Sequence, residues 1–538
     1  MYKPDLSETS SRIFPKILRM QAQQNGDTDF LVNEDMRVTF AEAEKITNQL
    51  ATGLASLGLK RGDRLGLYMG NRPEFVLLSL AANKLGAVWV PINTDYKGEW
   101  LLDSVRRSRC TVMVTDTEFQ ERLLPLRAEL DIPQWVVVTD SMEELDGSTT
   151  AYQKLLGSTE LESEYLDQHY GDTCAILWTS GTTGKSKGVL QNYNGWIRAI
   201  FQGASILFDT QKGDVIYCAM PLFNTGAWIT AIYRALLEGI PCVIEPRFSV
   251  TQFWERVALF KATQTFLIGA MGVFLWNQAE TSDDAKTTLR KAMMVPFPPD
   301  LWSAFEKRFN LEICRVGLGQ SESQLITTQL EARDDVPVYS LGFPPPDVEL
   351  KLCDDEGNEV TVGEPGEICI RPLEEHLIFN GYFDNEEATQ AAFRGEWYLT
   401  GDMARQDATT GAYFFVDRKK DAVRYGGRNI STLEVESVFR RYPAVADVAA
   451  FGIPSEEVES EHQLKVNVVL KPDEKVSAEE ICSFINDHAP YYFVPRYLSF
   501  VDELPYTPTN KVQKYKLRDQ GVDASTWDLK QSGFQVRK

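Results

Sequence analysis

Short apolar runs alternate with amphipathic stretches along the first 139 residues. Residues 38–60 predict a helix of about six turns, because Ala, Ile and Leu recur on one face. RGDRLGLYMGN then reads as a short strand leaving a turn, PEFVLLSLAANKLG as a helix and AVWVPIN as an apolar strand. The rhythm returns where TVMVTD and QWVVVTD flank another helix. Strands buried on both faces and joined by helices imply an α/β fold with a mainly parallel sheet. Residues 140–170 are polar and read as a surface excursion. The stretch 337–417 has turn signals at DDEGN, GEPGE and ATTGAY, which predict antiparallel structure closing the large domain. At 538 residues the chain exceeds one ordinary hydrophobic core. The charged DRKKD segment marks a boundary. The expected division is a large domain over 1–419, of stacked α/β subdomains plus a β-rich one, and a small mobile α+β domain over 421–538.

A formal net charge of −22 argues against a nucleic-acid partner, since no broad face would neutralise phosphates. The eight cysteines are dispersed, show no CxxC spacing and lie in apolar runs such as CAILW, as buried reduced thiols do. Four histidines, none paired at ligand spacing, make a histidine metal centre unexpected. Neither a signal core nor an apolar span of membrane length occurs, so a cytoplasmic protein without an integral membrane segment is expected. A homodimer is the base-rate expectation for assembly.

The segment AILWTSGTTGKSKGVL, 175–190, carries the most chemistry. A four-residue apolar strand enters a loop of glycines, hydroxyl residues and two lysines. Glycine lets backbone approach a polyanion, hydroxyls and N–H groups bond its oxygens, and lysine supplies charge. A Walker A loop would need glycine five residues before Gly184, where Thr179 stands, so this is a phosphate loop of another kind.

TSGTTGKSKG closely resembles the signature loop of the adenylate-forming superfamily, which includes acyl-CoA synthetases, free-standing adenylation domains and firefly-type luciferases. The resemblance continues in order along almost the whole chain. It implies that Thr179, Ser180, Gly181, Thr182, Thr183, Gly184 and Lys187 grip the phosphates of ATP. GLGQSES at 317–323 is similar to the family's Tyr-Gly-x-Thr-Glu motif, which places Gly319, Gln320 and Ser321 at the nucleotide and Glu322 on Mg²⁺. WYLTGD and VDRKK imply that Asp402 and Arg418 contact the ribose, with Lys420 at the hinge. The closing TPTNKVQKYKLR implies that Lys511 stabilises charge during adenylation. Negative charge accumulates as a carboxylate meets the α-phosphate, and a cation answers it. Thr179, Glu322 and Lys511 are thus the implied catalytic residues. In AVRYGGRNIS, Gly426 and Gly427 would line a pantetheine tunnel for coenzyme A. The basic residues after Lys511, beginning with Lys514, read as a solvated run.

The sequence departs from the resembled pattern at several places, three of which bear on the adenine and the acid pocket. Leu318 replaces the tyrosine beside adenine, Asn224 stands where histidine or an aromatic is usual, and VPFPPD at 295–300 replaces a glycine-rich strip. Asn224, Trp228, Met271, Phe297 and Leu318 are therefore the expected acid-pocket residues. The implied reaction is that of an acid:CoA ligase, closest to carnitine/crotonobetaine-type and cyclic-acid ligases. Its substrates would be an apolar or cyclic carboxylic acid, ATP and CoA. Two other readings are an adenylation enzyme loading a carrier protein, and a nucleotide- or acyl-binding sensor without catalysis. Retention of Glu322, Asp402, Arg418 and Lys511 together opposes the sensor.

Overall fold

The computed structural model describes residues 3–139, 149–157, 167–179, 186–295, 297–315, 317–330, 333–354, 356–418, 423–425, 428–430, 432–455, 458, 461–505, 512 and 514–537. Among them the chain forms two seven-stranded sheets, a five-stranded antiparallel sheet and a smaller C-terminal unit. The α/β alternation read from the sequence accounts for the first sheet. Its spatial order is Thr149–Ala151, Gln134–Val138, Val112–Asp116, Arg64–Tyr68, Val88–Pro91, Thr173–Thr179 and Lys187–Asn192. Every neighbouring pair is parallel except the last, an antiparallel hairpin. The strand entering the phosphate loop is seven residues long rather than four, because it pairs along its length with Lys187–Asn192.

The predicted helix over 38–60 spans Phe40–Ser56, and its start is set chemically. Thr39 accepts from the Glu42 N–H while the Glu42 carboxylate accepts from the Thr39 N–H, a reciprocal capping box. Pro73–Lys84, with Pro at its first turn, is buried on all sides. Its terminal Lys84 is 3% exposed and pairs with Glu44 at 2.7 Å. Burial still pulls the ammonium down to about 8, Glu44 opposing the shift.

The second sheet is also parallel, apart from the edge pair Asp29–Val32 and Arg37–Thr39. Its interior joins that of the first sheet through an aromatic cluster: the Trp89 and Trp228 rings lie 4.3 Å apart, and Trp196 meets Tyr233 edge-on at 5.0 Å. The antiparallel sheet over Val348–Arg418 closes the large unit, as the turn signals predict. All eight cysteines are buried and unpaired.

After residue 422 a separate core forms around the four-stranded sheet and the helices Thr432–Phe439 and Ala478–His488. This small unit rests on the helix Gly98–Ser108 and the turn before it. Arg441 pairs with Glu99 at 2.5 Å, Phe493 meets Trp100 edge-on at 5.0 Å, and Asn93 donates to the Tyr492 hydroxyl at 3.5 Å. Lys514 is not solvated. It is 11% exposed and bonds Glu436 and the Thr432 hydroxyl, each at 2.7 Å, because the helix Lys514–Gln520 packs onto the unit's own sheet.

Candidate active site

The hairpin Thr173–Thr179/Lys187–Asn192 delivers the phosphate loop to a sheet edge. Thr179 faces Lys187 in register, and the Ser186 hydroxyl donates to the Thr179 carbonyl at 2.9 Å, closing the loop's base. Arg107, from Gly98–Ser108, covers the Trp178 ring at 4.5 Å and donates to the Ser186 carbonyl. Trp178 in turn donates to the Ser108 hydroxyl at 2.8 Å. The two ends of the loop are therefore held. Ser180, Gly181, Thr182, Thr183 and Gly184 themselves lie outside the described residues.

Beyond the hairpin, the segment 317–323 folds tightly onto the strand-like run after it. A Cβ at Gly317 would lie 1.8 Å from the Thr327 carbonyl oxygen, and one at Gly319 would lie 2.2 Å from that of Gln324. Only glycine permits such approach. The fold presents Gln320, Ser321 and Glu322 as a short polar shelf. Gln191 donates to the Ser321 carbonyl at 2.7 Å, and the Phe379 N–H to the Glu322 carbonyl at 2.7 Å, which anchor the shelf from both sides.

Tyr382 links this shelf to the loop. Its hydroxyl donates to Glu322 Oε1 at 2.9 Å, while Lys187 Nζ sits 4.5 Å from its ring centroid. Burial, and next the Glu322 charge, push the Tyr382 phenol far up, so it remains a donor. On the other side Gln320 donates to Asp402 Oδ2 at 2.5 Å and to the Thr400 carbonyl at 2.8 Å, and accepts from the Tyr398 hydroxyl at 3.1 Å. Asp402 is 2% exposed, and its backbone is paired in register with that of Arg418. Lys187, Glu322, Gln320, Asp402 and the Arg418 backbone thus form one continuous array from segments more than 200 residues apart. Lys420, Gly426, Gly427 and Lys511 lie outside the described residues.

The pocket expectations divide. Thr225, beside Asn224, faces the shelf, its hydroxyl 3.2 Å from that of Ser321. Leu318 is half-buried against the antiparallel sheet. Trp228 departs from expectation: it is fully buried, donates to the Leu222 carbonyl at 2.7 Å and belongs to the aromatic core. Phe297 likewise turns into a core, with its ring 5.3 Å from that of Phe305. Met271 bridges the two cores, partly buried. Phe266, Ile229 and Val295 lie half-buried against a core of Ala204, Phe208, Met293 and Cys314. A Cβ on Gly226 would meet the Phe266 ring at 2.9 Å. Tyr382, Gln191, Thr225 and Tyr398 escaped sequence reasoning, since only the tertiary fold pairs them with the motifs.

Residues 18–383 match the family of AMP-binding enzymes, and residues 434–511 match the AMP-binding enzyme C-terminal domain. The chain belongs to the AMP-binding enzymes. Among curated relatives of this AMP-binding enzyme is the crotonobetaine/carnitine–CoA ligase of Salmonella paratyphi B, 29% identical over 490 residues, covering 89% of this chain and 93% of the relative. The mitochondrial medium-chain acyl-CoA ligase ACSF2 of Bos taurus is 27% identical over 548 residues, covering 95% and 88%. Among solved structures, the o-succinylbenzoate CoA synthetase of Bacillus subtilis, a double mutant bound to a product analogue, matches with a TM-score of 0.79 at 24% identity, over 94% of this chain and 98% of that one. The same synthetase bound to its acyl-adenylate matches with a TM-score of 0.65 at 24% identity, over 95% and 99%. The same neighbour in two ligand states thus matches with unequal scores.

Proposed function

We propose that this AMP-binding enzyme is an acid:CoA ligase working in two steps. A substrate carboxylate oxygen attacks the α-phosphorus of ATP, forming the acyl-adenylate and expelling pyrophosphate. The CoA thiolate then attacks the acyl carbonyl, forming the thioester and expelling AMP. The carrying observation is the Lys187–Tyr382–Glu322 contact together with the Gln320–Asp402 bond, which bring the phosphate, metal and ribose motifs to one shelf. In this reading Thr179, Ser180–Gly184 and Lys187 hold the ATP phosphates, Asp402 and Arg418 the ribose, and Lys511 the charge of the first step. Gly426 and Gly427 leave room for pantetheine, and the chain divides into 1–419 and 421–538 about Lys420. The relatives named as CoA ligases favour CoA over a carrier protein as acceptor.

Mg²⁺ fits Glu322. Its carboxylate is a hard oxygen donor oriented by Tyr382 beside the phosphate loop. No cluster of three metal-ligating side chains occurs among the described residues, so nucleotide phosphates would complete the shell. Bound there, the ion would neutralise phosphate charge.

The acid pocket is read as apolar, walled by Phe266, Ile229 and Val295 with the Thr225–Ser321 hydroxyl pair at its polar end. The helices on this side widen into π turns at Ile200–Ala204 and Trp228–Ile232, a distortion frequent at functional sites. Purified protein with MgATP and a panel of fatty, aromatic, alicyclic and steroid-type acids tests the function. Acid-dependent pyrophosphate release and, with CoA, a thioester product are expected. Absence of release across the panel overturns the enzyme reading, and release with thioester absent overturns the acceptor.

A further inference from the structure

Gln191 lies on the strand Lys187–Asn192, which leaves the phosphate loop, and it is 1% exposed. Side chains alternate across a strand, so Lys187, Val189 and Gln191 share one face. From that face Lys187 meets the Tyr382 ring, while Val189 bridges to the Tyr382 backbone and packs in the same core. Gln191 reaches the shelf, where its Nε2 donates to the Ser321 carbonyl at 2.7 Å. Its Oε1 accepts from the Trp196 indole N–H at 2.8 Å and from the Gln324 amide. An indole nitrogen only donates, so Trp196, fully buried in the aromatic core, fixes which end of the amide faces the shelf. Gln324 makes its bond from a left-handed backbone, φ 55°, which a residue other than glycine keeps only where its surroundings enforce it.

We propose that Gln191 is a positioning residue for the metal-bound nucleotide. By holding the peptide that joins Ser321 to Glu322, it fixes the Glu322 carboxylate relative to Lys187 on its own strand. This rests on the reading of Lys187 as a phosphate contact and Glu322 as the Mg²⁺ ligand. Four residues of extended chain, about 13 Å, separate Lys187 from Gln191. The strand is thus a rigid spacer between the group set for phosphate and the group set for the metal. Gln320 is tied separately to Asp402, Thr400 and Tyr398, so the ribose end of the shelf does not depend on Gln191. The Phe379 N–H and the Tyr382 hydroxyl hold Glu322 itself, and the Ser321 carbonyl is held by Gln191.

Calorimetric titration of the full chain with ATP, once with Mg²⁺ and once with EDTA, tests this without knowledge of the acid. Gln191→Met keeps the length of the side chain and removes all three bonds. Its dissociation constant for MgATP should rise about 10-fold, while that for metal-free ATP should change less than about 2-fold. A merely structural loss would weaken both alike. Gln191→Glu keeps the acceptor for Trp196 and Gln324 but donates to Ser321 only when protonated. Burial, and the charge of Glu322 nearby, raise the introduced carboxyl. MgATP affinity relative to the native chain should therefore be retained at about pH 6 and fall to that of Gln191→Met by about pH 9. The Gln191→Glu series carries the test alone if Gln191→Met fails to fold. An equal fall for both forms of ATP, an unchanged MgATP affinity, or a relative affinity flat across pH overturns the role of Gln191. A native chain that binds ATP alike with and without Mg²⁺ overturns the metal reading of Glu322 instead.

Discussion

Glu322 and Tyr382 show how far single residues could be read. Glu322 is legible because it stands in a short motif whose order along the chain is informative. Tyr382 is not, because its value lies in a 2.9 Å bond across 60 residues of sequence, which no local pattern records. The same holds for Gln320, whose partners Thr400 and Asp402 arrive from another sheet. Replacing Glu322 by Gln keeps its size but weakens its hold on a divalent ion. ATP–pyrophosphate exchange should fall about 100-fold, the scale of removing one transition-state electrostatic contact. Tyr382→Phe removes only the orienting hydrogen bond, worth about 1 kcal/mol net, so exchange should fall by up to about 10-fold. Its loss should shrink at high Mg²⁺, as expected if the tyrosine acts by orienting the carboxylate. Exchange measured across a magnesium titration checks both variants, and an unaltered Mg²⁺ dependence in Tyr382→Phe would separate Tyr382 from the metal.

At the scale of elements, periodicity located the helices and strands of the first sheet because burial on two faces leaves a strong pattern. It missed the lengthened strand before the phosphate loop, whose ends are set by pairing across a hairpin rather than by their own residues. The resemblance put Trp228 and Phe297 at the pocket where the structure buries both in cores, since an aromatic side chain looks alike in sequence whether it fills a core or lines a cleft. The two π turns left no recognisable period. Just before the second of them Gly226 lies against Phe266, where any added Cβ must displace the ring. Gly226→Val should therefore narrow the proposed pocket. Bulky acids should lose kcat/KM by about 10-fold or more relative to short ones, a discrimination of the order that hydrophobic pockets achieve. Competition assays between a short and a bulky panel acid would read that ratio. In the small unit the Lys514–Glu436 pair is similarly local in effect. Lys514→Met leaves a carboxylate 4% exposed with the half-exposed Arg440, at 3.4 Å, as its remaining cation. That should cost up to about 3 kcal/mol, while the double change with Glu436→Gln should recover most of it, as the unfolding midpoints of the two variants would show.

For the whole molecule, the contact between the two units buries a carboxyl whose ionisation that burial shifts. An exposed glutamate titrates near 4.5, whereas burial holds the docked Glu434 up to about 8, with Arg107 and the Ser186 N–H opposing the rise and Asp103 adding to it. Tyr96, packed on the same side, stays protonated because burial raises its phenol further. Between those two values the docked chain keeps a proton that the undocked chain has lost. Proton release then favours undocking, so docking is strongest below the lower value and weakens as pH rises through the upper one. A tenfold change in acidity corresponds to about 1.4 kcal/mol, so even a fraction of this window would bias the arrangement. Glu434→Gln carries the shape of the protonated acid and does not titrate. Its melting temperature should match the native chain near pH 5, exceed it increasingly towards pH 8, and hold a constant margin above that. Calorimetric melting of both chains across this range measures the margin, and parallel curves would show that Glu434 ionisation does not govern docking.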